Sequence, residues 1–396
     1  MVDKFTGSFI QQSELPKAAF EKAHEVLSSA RLHRYGSLPD TLSESAQLEI
    51  AYAKYQGAEY CLACTSGGQA LQIALRAAGV KHGDKVLTNG FTLAPVPGSI
   101  QAVGGKVTLV EINEDLVIDC NDLEAKAKSS GAKFLMLSHM RGHLADMDRI
   151  VEICDTHKII LIEDCAHTMG ATWSGIKSGN FGHIGCFSTQ TYKHINSGEG
   201  GLLTTNDPAI IGRAMIMSGS YMNYERHGTV PDAKYFEDAK YDCPNMSARM
   251  DNLRAAILLP QIDELDQAIL DWNKRYDIIA EFLIPHSPKV ILPKSNDKAI
   301  RVASSIQFRV PNLSNDGALK LIDDLYVRGV EIKWFGRNEP AGFTSMHNHW
   351  HYVESQKLPA TDRYLKDLFD MRLPLSFSLD DCKIVGQILA DEIQKA

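Results

Sequence analysis

Leu161-Ile162-Glu163-Asp164-Cys165-Ala166-His167, then Phe187-Ser188-Thr189-Gln190-Thr191-Tyr192-Lys193, then Asn196-Ser197-Gly198-Glu199-Gly200-Gly201 form the stretch from which the fold is read. An apolar run that ends on an acid puts Asp164 at the end of a strand, where open α/β sheets bind their ligands. A lysine shortly after a later strand, with glycines behind it, can reach the same crevice. Taken singly, each feature has a plainer explanation: Asp164 caps a helix, Lys193 is a solvated loop residue, and the glycines make a turn.

Outward from this stretch, short β-rich runs at 85–88, 107–110, 134–137, 159–162, 186–188 and 202–204 alternate with segments of helical spacing such as 69–78 and 146–157. Such alternation predicts an α/β fold with a mostly parallel central sheet and helices on both faces. Before it, Ser13-Glu14-Leu15-Pro16 opens a capped helix that runs to about Ala30. After it, 266–282 reads as a long helix, followed by a strand at 304–310, a helix at 316–328, a strand at 330–333 and a last helix at 379–394. The expected division is a large α/β domain over 1–265, with the N-terminal helical segment, and a small C-terminal α+β domain over 266–396. Residues 335–360, rich in Gly, Pro, His and Asn, make the longest loop-like stretch.

The chain's 396 residues exceed one core of usual size, which agrees with two domains. A formal net charge of -8, with no clustered Lys/Arg face, excludes a large nucleic-acid footprint. No apolar run is long enough to span a bilayer, and the opening Met1-Val2-Asp3-Lys4-Phe5 leads into a polar segment without the apolar core of a secretory signal, so a cytoplasmic protein is expected. The eight cysteines are scattered through apolar stretches, as small buried hydrophobes in a reducing compartment are. Cys61 and Cys64 form a lone C-x-x-C, short of a zinc or redox pattern. His347, His349 and His351 would share one face of a strand, but no carboxylate or cysteine pattern accompanies them, and no metal is expected.

One more segment decides the chemistry. Cys64-Thr65-Ser66-Gly67-Gly68-Gln69-Ala70-Leu71 places small residues just before an amphipathic helix, where backbone N–H groups and the helix dipole can cradle a phosphate. With a strand-end acid and a loop lysine in that chain order, the set meets what pyridoxal 5′-phosphate requires: a phosphate cradle, a carboxylate for the pyridinium nitrogen, and an amine for the aldehyde.

These motifs, together with His82-Gly83-Asp84-Lys85-Val86 and Arg249-Met250 before Ala255-Ala256, make the sequence resemble the DegT/DnrJ/EryC1/StrS family, the sugar aminotransferases of fold-type I, over nearly its whole length. The resemblance implies that Lys193 carries the cofactor as a Schiff base and then shuttles the substrate proton, while Asp164 keeps the pyridine nitrogen protonated. It implies that His167 hydrogen-bonds the ring 3′-oxygen, that Phe91 stacks on the ring, and that Ser188 and the amides of Gly67 and Gly68 bind phosphate. The family commonly has Ser-Gly-Thr where this chain has Ser66-Gly67-Gly68, so Ser66, Gln69 or a backbone amide must replace a lost hydroxyl. It has an Asn reaching across a dimer interface where this chain has Ser247, with Asn245 two residues earlier.

A homodimer with shared active sites is therefore expected. The implied reaction moves an amino group from L-glutamate or glutamine to a keto sugar, nucleotide-linked or a free keto-sugar acid such as an 8-oxo-octulosonate, for a surface polysaccharide or a secondary metabolite. Arg141, in a His-x-x-Gly segment at a strand end, with Arg226, Lys333 and Arg337, are candidates to hold a substrate carboxylate. Two alternatives stand beside this reading. One is a sugar dehydratase of the same family, which would have histidine in place of Lys193. The other is a non-catalytic sensor that binds the cofactor without turnover.

Overall fold

The computed structural model describes residues 4–396; Met1, Val2 and Asp3, with which the stretch read for a leader begins, lie outside the described residues. The strands that build the centre are β1 (Tyr60–Cys64), β2 (Lys85–Asn89), β3 (Lys106–Val110), β4 (Phe134–Ser138) and β5 (Ile160–Asp164). A small hairpin, β6 (Thr172–Trp173) and β7 (Ile176–Lys177), precedes β8 (Ile184–Ser188) and β9 (Gly201–Thr205). The central sheet has seven strands in the order β1-β9-β8-β5-β4-β2-β3. Its middle, from β8 through β5, β4 and β2 to β3, is parallel, and β9 runs antiparallel to both of its neighbours. Parallel neighbours need crossovers, and the helices Pro95–Ala102, Cys120–Ser130 and Met147–His157 supply them.

Both faces of this sheet are buried, which is why its strands are apolar throughout. Leu135, Leu137 and Leu161 point into one hydrophobic cluster, while Phe134, Met136 and Ile162 point into another on the opposite side. Strand β5 runs two residues beyond the expected 162, because its last two members are acids with buried partners. Glu163 accepts hydrogen bonds from the N–H groups of Gly179 (2.9 Å), Phe181 (2.9 Å) and Gly182 (2.8 Å), and His139 Nε2 lies 2.9 Å from it.

After the edge pair partner β10 (Ala299–Ile300) come β11 (Ser305–Arg309), β12 (Lys333–Trp334) and β13 (Leu368–Arg372), an antiparallel sheet in the order β11-β13-β12. The strand expected at 330–333 begins later. Gly329 takes a left-handed φ of 81° and Val330 N–H still bonds back to Leu325, so both belong to the turn that closes the helix Asn315–Val327. The helices Leu265–Leu283 and Leu379–Lys395 pack on each other beside this sheet. No helix among the described residues is long and apolar enough to cross a membrane.

The 335–360 stretch is held against the central sheet by its side chains. Gln356 accepts from Leu109 N–H (2.8 Å) and donates to the Val107 carbonyl (3.0 Å), which blocks the open edge of β3 as a further strand would. His347–His349 is a 3-10 turn, not the strand in which alternate histidines would share a face, and His347 Nε2 pairs with Asp362 at 2.7 Å.

Candidate active site

Strands β4, β5 and β8 end side by side, so Ser138, Asp164 and Ser188 emerge together at the carboxyl edge of the sheet. Thr92 Oγ1 donates to Ser138 Oγ (2.8 Å), and Ser138 Oγ donates to Asp164 Oδ2 (3.1 Å); Asp164 Oδ1 accepts from Ala166 N–H (3.2 Å). This relay fixes the carboxylate's orientation. Burial pushes the Asp164 carboxyl above its usual range, opposed by Lys193 and by those hydrogen bonds.

Lys193 follows β8 in a tight turn, its N–H bonded to the Gln190 carbonyl. Its Nζ lies 2.8 Å from His167 Nε2. Burial, reinforced by the nearby charge of Arg141, brings the amine down to about 7, while burial and then Lys193 hold His167 far below the ordinary imidazole value. A neutral imidazole therefore faces an amine that can be neutral at physiological pH.

Asp164, His167, Lys193, Ser66, Gly67, Gly68 and Ser188 line one cavity. Ser66 caps the helix Gly67–Ala77 by accepting from Gln69 N–H at 3.1 Å, which aims the first amides of the helix at the cavity. Gly67 is required there: a Cβ would fall 2.8 Å from Ser188 Cβ. Gly68 is not required by packing, since a Cβ would meet nothing nearer than Ser66 Oγ at 3.9 Å. An amine, a buried carboxylate and a cradle of amides and hydroxyls on one cavity fit pyridoxal phosphate.

Other residues singled out from the sequence lie elsewhere. Phe91 is 1% exposed and packs edge to face on Phe335 at 5.1 Å; Leu93, two residues on, lines the cavity instead. Gln69 does not line it either, apart from its backbone role in the cap. Asn245 and Ser247 sit together on an exposed turn, where Ser247 N–H donates to Asn245 Oδ1 at 2.9 Å and Ser247 takes a left-handed φ of 51°. Of the four basic candidates, only Arg141 lines a cavity that Lys193 also lines. Arg226 is tied to Ser37 on the surface, Lys333 is exposed on β12, and Arg337 borders neither cavity.

Three groups were not foreseen. Thr92 and Leu93 come from the loop after β2, Ser138 is the last residue of β4, and Arg372 is the last residue of β13. The signal for Arg372 was a lone arginine closing an apolar run, Met371-Arg372-Leu373-Pro374. His139, Glu163 and Cys165 have ligand atoms within 4.8 Å of one another, yet the Glu163 oxygens are taken by three N–H groups and the imidazole, so this cluster braces the loop 179–182.

Comparison with known proteins agrees with this geometry. The model of the DegT/DnrJ/EryC1/StrS aminotransferase family matches residues 16–390. GDP-perosamine synthase of Caulobacter vibrioides is 33% identical over 222 residues, 56% of this chain and 57% of that protein. L-glutamine:2-deoxy-scyllo-inosose aminotransferase of Streptomyces kanamyceticus is 32% identical over 228 residues, 57% of this chain and 53% of that protein. The aligned part thus spans a little over half of each of these two relatives. Among solved structures, 3-amino-5-hydroxybenzoic acid synthase superposes with a TM-score of 0.84 at 24% identity, covering 100% of both chains, a likeness that shows the fold. A mostly parallel sheet of this topology is the fold of the fold-type I pyridoxal-phosphate aminotransferases. With the family's match running through both the central sheet and the C-terminal sheet, the chain belongs to the DegT/DnrJ/EryC1/StrS aminotransferase family.

Proposed function

We propose that the protein is a pyridoxal-phosphate aminotransferase of amino-sugar biosynthesis that moves an amino group from L-glutamate or glutamine to a keto sugar. The observation that carries this is the meeting of Lys193, Asp164 and the Ser66-Gly67-Gly68/Ser188 cradle on one cavity. When bound, the cofactor supplies an aldehyde for amino exchange and an electron-withdrawing ring. Asp164, oriented by Ser138 and Ala166, holds the proton on the ring nitrogen. The amides of Gly67 and Gly68 and the Ser188 hydroxyl bind the phosphate, with Asn245 or Ser247 of a second copy completing the cradle in a homodimer. Lys193 would hold the cofactor through its aldehyde and would serve as the base for the proton at the substrate carbon, with His167 Nε2 at 2.8 Å orienting its amine. Leu93 rather than Phe91 supports the ring face. On the expected division at 265/266 these groups belong to the larger domain.

Lysine at position 193 favours transamination over the dehydratase chemistry that a histidine there would indicate. The test is spectroscopic. Glutamate or glutamine should abolish the visible absorbance of the reconstituted protein with release of one equivalent of keto acid per site, and a keto sugar should restore it. An absorbance indifferent to every amino donor sinks the proposal and favours a sensor.

A further inference from the structure

Two hydroxyls stand in line behind Asp164, and their hydrogens can be counted. Each hydroxyl has a single hydrogen to give, and an ionised carboxylate only accepts. The hydrogen in the 3.1 Å contact between Ser138 Oγ and Asp164 Oδ2 is therefore the serine's, and the one in the 2.8 Å contact between Thr92 Oγ1 and Ser138 Oγ is the threonine's. Thr92 is 1% exposed, too buried for bulk water to replace it as the donor. Asn89, the last residue of β2 and fully buried, holds the pair from behind. Its Oδ1 accepts from Ser138 N–H at 3.0 Å, and its Nδ2 donates to the Ser138 carbonyl at 3.2 Å and to the Phe91 carbonyl at 2.7 Å. One side-chain amide thus fixes the backbone beside both hydroxyls.

The carboxylate needs such a donor. Burial pushes Asp164 toward taking up a proton, and a hydrogen bond given to its charged form draws it back. Of the titratable groups that face it, Lys193 after β8 and His139 after β4 favour the charged carboxylate, and His139 Nε2 already lies 2.9 Å from Glu163. Burial keeps the thiols of Cys165 and Cys186 protonated and the imidazole of His167 neutral. Glu163, next to it on β5, points to the opposite face of the sheet. Neutral hydrogen bonds to the carboxylate come from Ser138 on Oδ2 and from Ala166 N–H on Oδ1. A backbone N–H is fixed in place. A hydroxyl turns among its staggered positions unless a neighbour commits its lone pair, and Thr92 is that neighbour.

We propose that Thr92 is a positioning residue for the amino exchange: by turning the Ser138 hydrogen onto Asp164 it keeps that carboxylate ionised, so that the proton they share stays on the ring nitrogen of the cofactor. This rests on the aminotransferase function proposed above. Without the Thr92 hydroxyl, Ser138 turns its hydrogen away for part of the time and Asp164 becomes the stronger acceptor. A ring that has given up its nitrogen proton draws electrons less strongly, and the proton at the Lys193 nitrogen is then held to a higher pH.

Pyridoxal phosphate with an isotope-labelled ring nitrogen, bound to the parent and variant proteins, tests this by magnetic resonance, because the ring-nitrogen signal reports whether that atom carries a proton. In Thr92→Val, which keeps the branched shape and loses the hydroxyl, the signal should move toward the unprotonated position. It should move further in Ser138→Ala and return in Thr92→Ser. The pH midpoint of the visible absorbance should rise by about 0.3–0.5 unit in Thr92→Val and by about 1 unit in Ser138→Ala, since a hydrogen bond to a charged group is worth about 1–2 units. Because Thr92 acts through Ser138, adding Thr92→Val to Ser138→Ala should move neither reading further. Turnover with glutamate should fall about 3- to 10-fold in Thr92→Val with KM within about twofold. Thr92→Cys, whose thiol donates only weakly, serves if the valine variant does not fold. The positioning role is overturned if the ring-nitrogen signal stays at the parent position in Thr92→Val, if Thr92→Ser behaves as Thr92→Val does, or if the two changes add. The aminotransferase function fails separately, when the signal follows these substitutions but glutamate leaves the visible absorbance unchanged.

Discussion

Lys193 Nζ lies 2.8 Å from His167 Nε2, and both side chains line the two cavities that meet in the crevice. Because burial and Lys193 itself hold His167 neutral, the imidazole can accept the amine's hydrogen without competing for its proton. One side chain thus holds the amine of Lys193 where the two cavities share a wall.

Removing either end of the proposed catalytic pair has separable effects. Lys193→Ala should lower amino transfer by about 10²- to 10⁴-fold or more while the protein still binds the cofactor, because the base is lost and the cradle is not. Asp164→Asn keeps the size and the bond from Ser138 but removes the charge, and should lower turnover by about 10²-fold or more. Single-turnover loss of the visible absorbance on adding glutamate measures both.

Burial of Lys193 predicts a pH dependence of stability. Its folded value of about 7 lies below that of an unfolded lysine, so between these values the unfolded chain holds the proton and the folded chain does not. Below about 7 both states are protonated and the folded state bears the full cost of the buried charge. Raising the pH through 7 toward the ordinary lysine value therefore adds stability. Melting temperatures of the cofactor-free protein between pH 6 and about 9 should show this rise, and Lys193→Met should lack that component of it.

The two glycines of the cradle should respond in opposite directions. Gly67→Ala forces a Cβ to within 2.8 Å of Ser188 Cβ and should weaken cofactor binding by about 10-fold or more, through a displacement costing about 1–3 kcal/mol. Gly68→Thr enters open space and adds a hydroxyl, and should tighten binding by about fivefold. Fluorescence titration with pyridoxal phosphate distinguishes them; equal effects of the two changes would contradict the cradle.

Glu163→Gln should destabilise the protein without touching the cofactor. The amide must set its own N–H groups against one of three backbone N–H donors or against His139, and a buried network broken in this way costs about 3–5 kcal/mol. The denaturation midpoint should fall accordingly, with the midpoint of cofactor binding in the folded protein shifted little.

Several elements escaped the sequence for identifiable reasons. The helix Glu44–Gln56 buries Ser45, Glu49 and Gln56 among its apolar residues, so its stripe is interrupted. Those polar groups are satisfied by distant partners: Glu49 by Arg34 and Gly228 N–H, Gln56 by the Ser178 carbonyl, and Ser45 by the Met250 carbonyl. Strand β5 was read two residues short for the same reason, since two adjacent acids look like a strand end until the amides of 179–182 are folded onto one of them. Arg141, Arg226, Lys333 and Arg337 could not be ranked by residue type, because a guanidinium or ammonium serves equally on a surface or in a cavity.

By itself the sequence determined the α/β architecture and the order of its central elements, because apolar periodicity is set by which faces are buried and is written along the chain. It also singled out the amine, the acid and the glycine-led helix start that line one cavity, because a parallel sheet aligns the strand ends near which they lie. Only the tertiary structure decided which side chains share a cavity. It put Leu93 rather than Phe91 on the wall of the cavity that Lys193 and Asp164 line, left Arg226, Lys333 and Arg337 off both cavities, and brought Arg372 from β13 to the cavity that Arg141 and Lys193 line. Those outcomes depend on contacts between residues far apart in the chain, and side-chain direction at a strand end turns on a single residue of register.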